Sequence, residues 1–356
     1  MIICHIVGAR PNFVKAAPVY HALQQRGSTR QLIVHTGQHY DINMSDVFFQ
    51  QLGIPAPDAN LQVGSGSHGQ QTAQIMSRLE SVFHERKPDL VIVYGDVNST
   101  MGAALVCAKL GIPVAHVEAG LRSFDRRMPE EINRLLTDQL SDLLFTPSPD
   151  GSANLFHEGL PANKIHMVGN VMIDTLVRML PLAREATLPG LPDRFALVTL
   201  HRAGNVGDFT WLVAMLNTLA RISHQMNIVF PVHPRTRLGL LQANGSLTHA
   251  PNVILMDPVP YVEFLGLQTR AAAVITDSGG IQEETTYLGI PCFTVRENTE
   301  RPITVSVGTN VLVGRDPQNL EVHIENFLAG NVKLGKRPAL WDGHAAERIA
   351  AIIRER

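Results

Sequence analysis

"YGDVNSTMGAALVCAKLGIPVAHVEAG" (residues 94–120) and "ITDSGGIQEETTYLGIPCFTVREN" (residues 275–298) are two stretches of one chain that share a plan. Each has a strand ending in Asp, a loop of small residues, a helix, and then LGIP, which opens the next strand. A loose internal repeat of this kind predicts two similar α/β halves that join near residue 170, with a ligand cleft between them.

The rest of the chain continues the alternation of β-rich runs and helical patterns. Residues 11–26 repeat apolar side chains at helical spacing behind Pro11, which suits the first turn of a helix. Near-continuous apolar strands separated by helices predict parallel sheets covered on both faces. The predicted strands are 1–7, 31–36, 89–96, 112–119, 164–170, 195–201, 227–233, 252–258, 271–277 and 291–296.

These patterns predict an α/β protein with two Rossmann-like domains, whose parallel sheets face each other across the cleft. The N-terminal domain is expected to span residues 1–169 and the C-terminal domain residues 170–342. Residues 343–356 form a last helical pattern, and periodicity alone does not assign it to a domain.

Composition excludes several classes of function. The chain has 356 residues, a formal net charge of −2 and no block of like charge, so neither a nucleic-acid surface nor a polybasic membrane patch is predicted. Three isolated cysteines fit a reducing compartment, and no apolar run is long enough to span a bilayer. The start of the chain lacks the basic region of a signal peptide. We expect a cytoplasmic protein without nucleic-acid or membrane partners.

Acidic residues gather around "HVEAGLRSFDRRMPEE" (116–131), which begins as the end of an apolar strand. Asp96, Glu118 and Glu130 lie at or just beyond the carboxyl ends of predicted strands, where ligands of open α/β sheets bind. Carboxylates in one site can hold different protonation states and so divide acid and base roles. The alternative is structural ion pairing with the nearby arginines, which are Arg122, Arg126, Arg127 and Arg134. Three acids at successive strand ends favour the catalytic interpretation.

Two glycine-rich stretches differ in their context. "GSGSHG" (64–69) matches a dinucleotide-binding spacing, but no strand precedes it, so we interpret it as a flexible loop. "TDSGGIQEE" (276–284) follows a strand and opens a helix, where backbone N–H groups and the Ser278 hydroxyl suit a diphosphate. Glu284, further into that helix, could accept hydrogen bonds from ribose hydroxyls. The alternative is a tight strand–helix turn with an N-cap.

Cations and histidines complete the set of candidate residues. Arg10 and Lys15 at one strand–helix junction, with Arg301 after another strand, suit an anionic ligand, although each could be a solvated surface charge. No His, Cys or Asp spacing typical of a metal site occurs, and no metal or other cofactor is predicted. Most of the histidines are interpreted as structural. His201, directly after a β-run, is interpreted as functional.

Ten motifs follow one another in the order typical of a known family. They are "GARPNFVKAAP", "HTGQHYD", "GDVNST", "HVEAGLRS", "MPEEINR", "VGNVMIDT", "HRAGNV", "VHPRTR", "TDSGGIQEE" and "RENTERP". Over nearly its whole length the sequence resembles the non-hydrolysing bacterial UDP-N-acetylglucosamine 2-epimerases. The resemblance implies a GT-B-like architecture with UDP in the interdomain cleft, a last helix that returns to the first domain, and a homodimer.

The resemblance also implies a reaction and its ligands. Reversible epimerisation at C2 would interconvert UDP-GlcNAc and UDP-ManNAc, supplying ManNAc for surface polysaccharide synthesis. The family is understood to eliminate UDP in an anti sense, giving 2-acetamidoglucal, and to add UDP back. By matching motifs, the acid/base and supporting residues are Asp96, Glu118, Glu130 and His201. The positions that match UDP-binding residues are Arg10, Lys15, His233, Ser278, Gly279, Gly280, Glu284 and Arg301.

Two positions depart from the family pattern. Gly204 stands where many relatives carry an acid beside the histidine. Gln70 stands where members with a second, activating UDP-GlcNAc site carry arginine, although other matches to that regulatory set remain, namely Gln38, His39 and Arg202. Substrate activation is therefore not implied as strongly as the reaction.

Three alternatives to the reversible epimerase remain open. A hydrolysing epimerase would release UDP and ManNAc from the same intermediate. A glycosyltransferase on the same fold would pass a sugar to an acceptor, and a sensor would bind nucleotide sugar without turnover. The products formed from UDP-GlcNAc alone distinguish all of these.

Overall fold

The fold was obtained as a computed structural model. It describes residues 1–27, 29–38, 51–186, 188–242, 247 and 249–355. The chain divides into two compact units: unit 1 comprises Met1–Thr175 with Ala339–Arg356, and unit 2 comprises Leu176–Pro338. The domain boundary predicted at residues 169 and 170 lies shortly before this division.

Unit 1 is built on a parallel sheet, whose described strands have the order β3-β2-β1-β4-β5-β6-β7. Its central strands are buried along their whole length, as expected for a parallel sheet covered on both faces. The strands are β1 (Ile2–Val7), β2 (Arg30–His35), β3 (Ala59–Asn60), β4 (Leu90–Tyr94), β5 (Val114–Val117), β6 (Leu143–Thr146) and β7 (Ile165–Met167). The helices are α1 (Arg10–Gln25), α2 (His68–Arg86), α3 (Asn98–Leu110), α4 (Pro129–Leu140), α5 (Pro149–His157), a short 3₁₀ helix (Ala162–Lys164) and α6 (Val171–Glu185), which runs across the division between the units.

Unit 2 repeats this plan with the described strand order β10-β9-β8-β11-β12-β13, again parallel throughout. Its strands are β8 (Phe195–Thr199), β9 (Asn227–Pro231), β10 (Val253–Met256), β11 (Ala273–Thr276), β12 (Cys292–Thr294) and β13 (Asn310–Leu312). Its helices are α7 (Ala203–Val206), α8 (Phe209–Ile222), α9 (Pro234–Gln242), α10 (Tyr261–Arg270), α11 (Gly279–Leu288), α12 (Pro302–Ser306) and α13 (Pro317–Leu328).

The last helix, α14 (Ala345–Arg354), belongs to unit 1. The carboxylate of Asp174 accepts hydrogen bonds from the backbone N–H groups of Ala345 at 3.1 Å and Ala346 at 2.6 Å. Because the first N–H groups of a helix have no intrahelical partner, this carboxylate satisfies donors that would otherwise be buried without one. The end of the chain is thereby fixed to unit 1.

In each unit the strand order reverses beside the unit's first strand. β1 lies between β2 and β4, and β8 lies between β9 and β11. In open parallel sheets, ligands bind at the carboxyl ends of strands at such a switch point. The segments that follow β1, β4, β8 and β11 contain most of the predicted site residues.

The predicted fold class, α/β with two Rossmann-like parallel sheets, is confirmed, and every predicted strand overlaps an observed one. Three further strands among the described residues, β3, β6 and β13, were not predicted. They are two, four and three residues long in the structure. None of the described helices has the length and apolar character needed to cross a membrane.

Candidate active site

The acids of unit 1 follow neighbouring strands. Asp96 lies in the turn after β4, Glu118 lies directly after β5, and these strands pair in parallel, so both residues lie at the same edge of the sheet. Glu130 lies in the first turn of α4 and is exposed. The structure thus gives Glu118 a buried environment and Glu130 a solvated one.

Glu118 has an unusual backbone conformation. Its φ is +75°, which lies in the left-handed region that residues other than glycine rarely adopt. Gly120, two residues later, has a φ of +81°. The backbone N–H groups of Glu118 and Ala119 both donate to the carbonyl oxygen of Phe145, at 3.1 and 3.0 Å. Strained residues of this kind cluster at functional sites, because the surrounding structure must hold them.

The carboxylate of Glu118 contacts Lys15, a residue of α1. Lys15 Nζ lies 2.5 Å from Glu118 Oε2, and both side chains are buried. Gly95 makes room for this pair, since a Cβ there would lie 2.8 Å from Lys15 Nζ. Lys15 is therefore placed beside a candidate acid/base group, and its expected contact with UDP stays a prediction.

Arg134 of α4 joins two carboxylates. Its guanidinium pairs with Asp96 and with Glu131, the latter at 2.7 Å. Glu131 also accepts the backbone N–H groups of Ser123 at 3.0 Å and Phe124 at 2.8 Å. Burial acts to raise the pKa of Glu131, but these donors hold it below its ordinary value of 4.5. Asp96 therefore forms the ion pair with Arg134 that the structural alternative predicted.

Other arginines near the acids are also paired. Arg122 binds Asp138 at 2.7 Å and Glu158 at 2.6 Å, whereas exposed Arg127 pairs locally with Asp125. Glu131 and Asp138 were not predicted as site residues. The tandem acids "EE" at a helix start were the only sequence signal for Glu131, and nothing in the local sequence pointed to Asp138.

In unit 2, His201 and Asp277 meet at the ends of β8 and β11. His201 Nδ1 lies 3.1 Å from Asp277 Oδ1, and Asp277 also accepts the backbone N–H groups of His201 and Arg202 and the amide of Asn205. The His201 ring is partly exposed, whereas the carboxylate is fully buried. Asp277 thus fixes one ring nitrogen and orients the imidazole. The ring of His233 lies 5.7 Å from that of His201, measured between centroids.

The pKa of Asp277 lies below its ordinary value of 3.8. Burial acts in the opposite direction, but the hydrogen bond and charge of His201 and the two backbone N–H groups outweigh it. The carboxylate is therefore ionised at neutral pH.

The predicted diphosphate-binding turn has the expected form. β11 ends at Thr276, and α11 begins at Gly279, with Ser278 as its N-cap in an extended conformation. The Ser278 side chain makes no capping bond, so its hydroxyl does not compete for the first N–H groups of the helix. Those N–H groups and the helix dipole favour an anion.

Arg301 lies over the start of α11. A Cβ added to Gly279 would collide with the Arg301 guanidinium. Arg301 is buried and pairs with Glu283 at 3.0 Å and with Glu300. The glycine thus gives this arginine its position next to the helix N-terminus, where it was predicted to bind UDP.

Glu284 already has partners on both oxygens. Tyr261 donates its hydroxyl to Oε1 at 2.8 Å, and Gln268 donates its amide to Oε2 at 2.6 Å. Burial raises the pKa of Glu284 above its ordinary value, although the two hydrogen bonds oppose this. Each oxygen can accept a second hydrogen bond, so contact with ribose hydroxyls stays a prediction.

The remaining candidate residues are placed only in part. Gln38 is buried and accepts hydrogen bonds from the Ser99 backbone at 3.2 Å and hydroxyl at 2.7 Å. Gly204 has open space around the position of a Cβ, so a larger side chain would fit there. His39 and the side chain of Arg10 lie outside the described residues, and Gln70 lies in the first turn of α2.

No group of three His, Cys, Asp or Glu side chains that could hold a metal ion occurs in the part of the chain that the structure describes. The three cysteines are buried and unpaired with one another. The candidate residues of unit 1 are carboxylates with a lysine and arginines, and those of unit 2 are histidines, an arginine, a glutamate and a helix N-terminus.

The sequence and fold were compared with known proteins. The profile of the family described as UDP-N-acetylglucosamine 2-epimerase matches residues 21–354. A UDP-2,3-diacetamido-2,3-dideoxy-D-glucuronate 2-epimerase of Pseudomonas aeruginosa is 48% identical over 99% of both chains. A UDP-N-acetylglucosamine 2-epimerase of Methanococcus maripaludis is 42% identical, covering 98% of this chain and 97% of that one. The crystal structure of Methanocaldococcus jannaschii UDP-GlcNAc 2-epimerase in complex with UDP-GlcNAc and UDP is similar over 100% of both chains, with 41% identity and a TM-score of 0.92.

Proposed function

This chain belongs to the UDP-N-acetylglucosamine 2-epimerase family, a family of isomerases, and we propose that it interconverts UDP-GlcNAc and UDP-ManNAc without hydrolysis. The product would supply ManNAc for surface polysaccharide synthesis. The observation that supports this reaction most directly is that the candidate acids of unit 1 have different surroundings, since Glu118 is buried at the end of β5 whereas Glu130 is exposed in the first turn of α4.

The chemistry explains why more than one carboxylate is needed. The proton at C2 has no adjacent carbonyl to acidify it, so simple removal and return is costly. Anti elimination of UDP gives uncharged 2-acetamidoglucal, and re-addition of UDP after protonation on the other face gives the epimer. This requires a base at C2 and an acid for the opposite face, and groups in different environments can hold the different protonation states. Asp96, Glu118 and Glu130 are the proposed acid and base groups.

Unit 2 is proposed to bind the departing UDP. The N-terminus of α11, the buried Arg301 and the oriented His201 all suit a diphosphate that gains charge as the C1–O bond breaks. The proposed binding residues also include His233, Ser278, Gly280, Glu284, Arg10 and Lys15. Their contribution to the site rests on the matching motifs.

A second substrate is favoured by one finding. The relative that is 48% identical over 99% of both chains acts, by its name, on UDP-2,3-diacetamido-2,3-dideoxy-D-glucuronate. The configuration at C2 is inverted in that reaction too, so the same acid/base groups would serve. The two substrates differ at C3 and C6, where the second carries an acetamido group and a carboxylate.

The products distinguish these possibilities. The purified chain is incubated separately with each nucleotide sugar, and the products are followed by proton NMR. We expect UDP-ManNAc from UDP-GlcNAc. Free ManNAc and UDP would instead indicate a hydrolysing enzyme, and no change in either nucleotide sugar would indicate a transferase or a sensor. If the chain converts UDP-2,3-diacetamido-2,3-dideoxy-D-glucuronate but not UDP-GlcNAc, the diacetamido-glucuronate is its substrate.

A further inference from the structure

Asp138, near the end of α4, contacts the segment around Glu118 at three places. Asp138 Oδ1 lies 2.6 Å from His116 Nδ1, while Asp138 Oδ2 accepts the Gly120 N–H at 3.1 Å and lies 2.7 Å from Arg122 Nη1. His116 lies two residues before Glu118 in the sequence, and Gly120 and Arg122 lie two and four residues after it. All of them are buried, and Asp138 itself is completely buried.

The His116 ring extends this contact to the neighbouring strand. Its Nε2 lies 2.8 Å from the carbonyl oxygen of Gly95, while its Nδ1 faces the Asp138 carboxylate. Both ring nitrogens therefore lie within hydrogen-bond distance of oxygen atoms. Gly95 is the residue that lies against Lys15 and Glu118. Through His116, the carboxylate of Asp138 thus connects the end of β5, where Glu118 lies, with Gly95 at the end of β4.

The conformation of Glu118 needs such support. A left-handed backbone is unfavourable for every residue other than glycine, so it persists only where surrounding contacts hold it. The contacts from Asp138 to His116, Gly120 and Arg122 are on both sides of this residue. If the turn relaxed, the carboxylate of Glu118 would move away from Lys15.

We propose that Asp138 is a positioning residue: it holds the left-handed turn at Glu118 through His116, Gly120 and Arg122, and so aims the Glu118 carboxylate. The proposal rests on the proposed function, in which Glu118 exchanges a proton with the sugar. Asp138 touches no substrate in this role and acts only through Glu118.

The first test is Asp138→Asn, which keeps the shape of the side chain and removes its charge. We expect kcat to fall by about 10- to 100-fold, because displacing a reacting group by about 1 Å has effects of that size. KM and the dissociation constant of UDP should change less than about threefold, since ground-state binding is unaffected.

Asp142→Asn is the matched control. Asp142 follows the same helix and accepts the Val114 N–H at 3.1 Å, so it anchors the opposite end of β5. Both variants remove a carboxylate that binds this strand, and both are compared by thermal unfolding. Only Asp138→Asn should lose turnover. Equal losses in both variants would mean that Asp138 merely stabilises the strand.

A double-mutant cycle with Glu118→Gln tests whether Asp138 affects turnover only through Glu118. Asp138→Asn should lower the residual rate of Glu118→Gln by less than about twofold, because a group that acts only through Glu118 has nothing left to position. Independent, multiplying losses would overturn the proposal. Wild-type turnover in Glu118→Gln would overturn both this proposal and the assigned role of Glu118, whereas wild-type turnover in Asp138→Asn with an inactive Glu118→Gln would overturn this proposal alone.

If Asp138→Asn does not fold, His116→Gln takes its place in the cycle. The glutamine amide can replace Nε2 and keep the contact with Gly95, while the contact with Asp138 is lost. A fall in kcat of at least about threefold that vanishes in the Glu118→Gln background is expected, because only part of the support is removed. Unchanged kcat would overturn the proposal.

Discussion

At the scale of single residues, two adjacent glutamates at the start of α4 have opposite surroundings. Glu130 is exposed, whereas Glu131 is buried and binds Arg134 and the backbone of Ser123 and Phe124. Successive residues of a helix point in directions about 100° apart, so neighbours can face solvent and interior. Their substitution should therefore have different consequences.

Glu130→Gln should lower turnover by at least about 100-fold, the usual scale for losing a general acid or base, with a free energy of unfolding within about 0.5 kcal/mol of wild type. Glu131→Gln should instead destabilise the fold by about 3 kcal/mol, because it removes the buried one of the two carboxylates that pair with buried Arg134. Steady-state kinetics and urea unfolding of both variants check this. Full activity in Glu130→Gln would remove it from the mechanism.

A second residue-scale prediction concerns His5, which is buried between Tyr94 and Gln31. Burial lowers the pKa of His5 from 6.5 to about 4, opposed by its hydrogen bond to Gln31. The unfolded chain therefore binds one more proton than the folded chain in this range, so the free energy of unfolding falls as the pH falls from 6.5 toward 4. The full difference corresponds to about 3 kcal/mol.

His5→Gln should flatten this pH dependence, measured by urea unfolding at a series of pH values. His224→Gln, which changes an exposed histidine, is the control and should keep the wild-type slope. An unchanged slope in His5→Gln would contradict the prediction.

Sequence reasoning placed Asp96, Glu118 and His201 at strand ends, because apolar runs and the polar residues that end them are local features. It could not distinguish the surroundings of Glu130 and Glu131, nor find Asp138. Those depend on contacts between residues 8 to 38 positions apart, such as Ser123 with Glu131 and Asp96 with Arg134. Periodicity carries no information about such pairs.

At the scale of elements, α4 holds candidate residues of unit 1 and α11 holds candidate residues of unit 2. α4 carries Glu130, the buried Glu131 and Arg134, and Asp138, so one helix supports all three candidate acids. α11 presents its N-terminus beneath Arg301. The glycine turn and the helix that follows it, α11, were predicted from sequence, whereas α4 and the contacts that each helix makes with distant loops were not.

Gly279→Ala should displace the Arg301 guanidinium and weaken UDP binding by about tenfold, the equivalent of one charge-assisted hydrogen bond. Isothermal titration of UDP measures this. Gly69→Ala is the matched control, because Gly69 also lies in the first turn of a helix but a Cβ there meets only open space. Equal affinities in both variants would mean that Arg301 does not serve the diphosphate.

At the scale of the whole molecule, the two units share a strand order but present different side chains at the ends of their strands. Unit 1 gathers carboxylates at the carboxyl edge of its sheet, and unit 2 gathers a helix N-terminus, a histidine and an arginine at its own. The internal repeat in the sequence predicted this duplication. The proposed roles of the two units differ because different side chains follow their strands.

Activity should survive EDTA and need no added nicotinamide, because arginines and a helix N-terminus can meet the charge of the diphosphate. Turnover is compared before and after chelation, with Mg²⁺ added back as the control. Loss of turnover with EDTA that Mg²⁺ restores would mean that the diphosphate site was misinterpreted.

The proposed epimerisation requires that the bond between C2 and its proton breaks during turnover, and incorporation of solvent deuterium measures whether it does. The chain is incubated with UDP-GlcNAc in D2O, and the C2 position of the product is examined by proton NMR and mass spectrometry. Elimination and re-addition predict UDP-ManNAc that carries deuterium at C2, and Glu118→Gln should slow this incorporation together with turnover. UDP-ManNAc that retains its original proton at C2 would exclude elimination and re-addition.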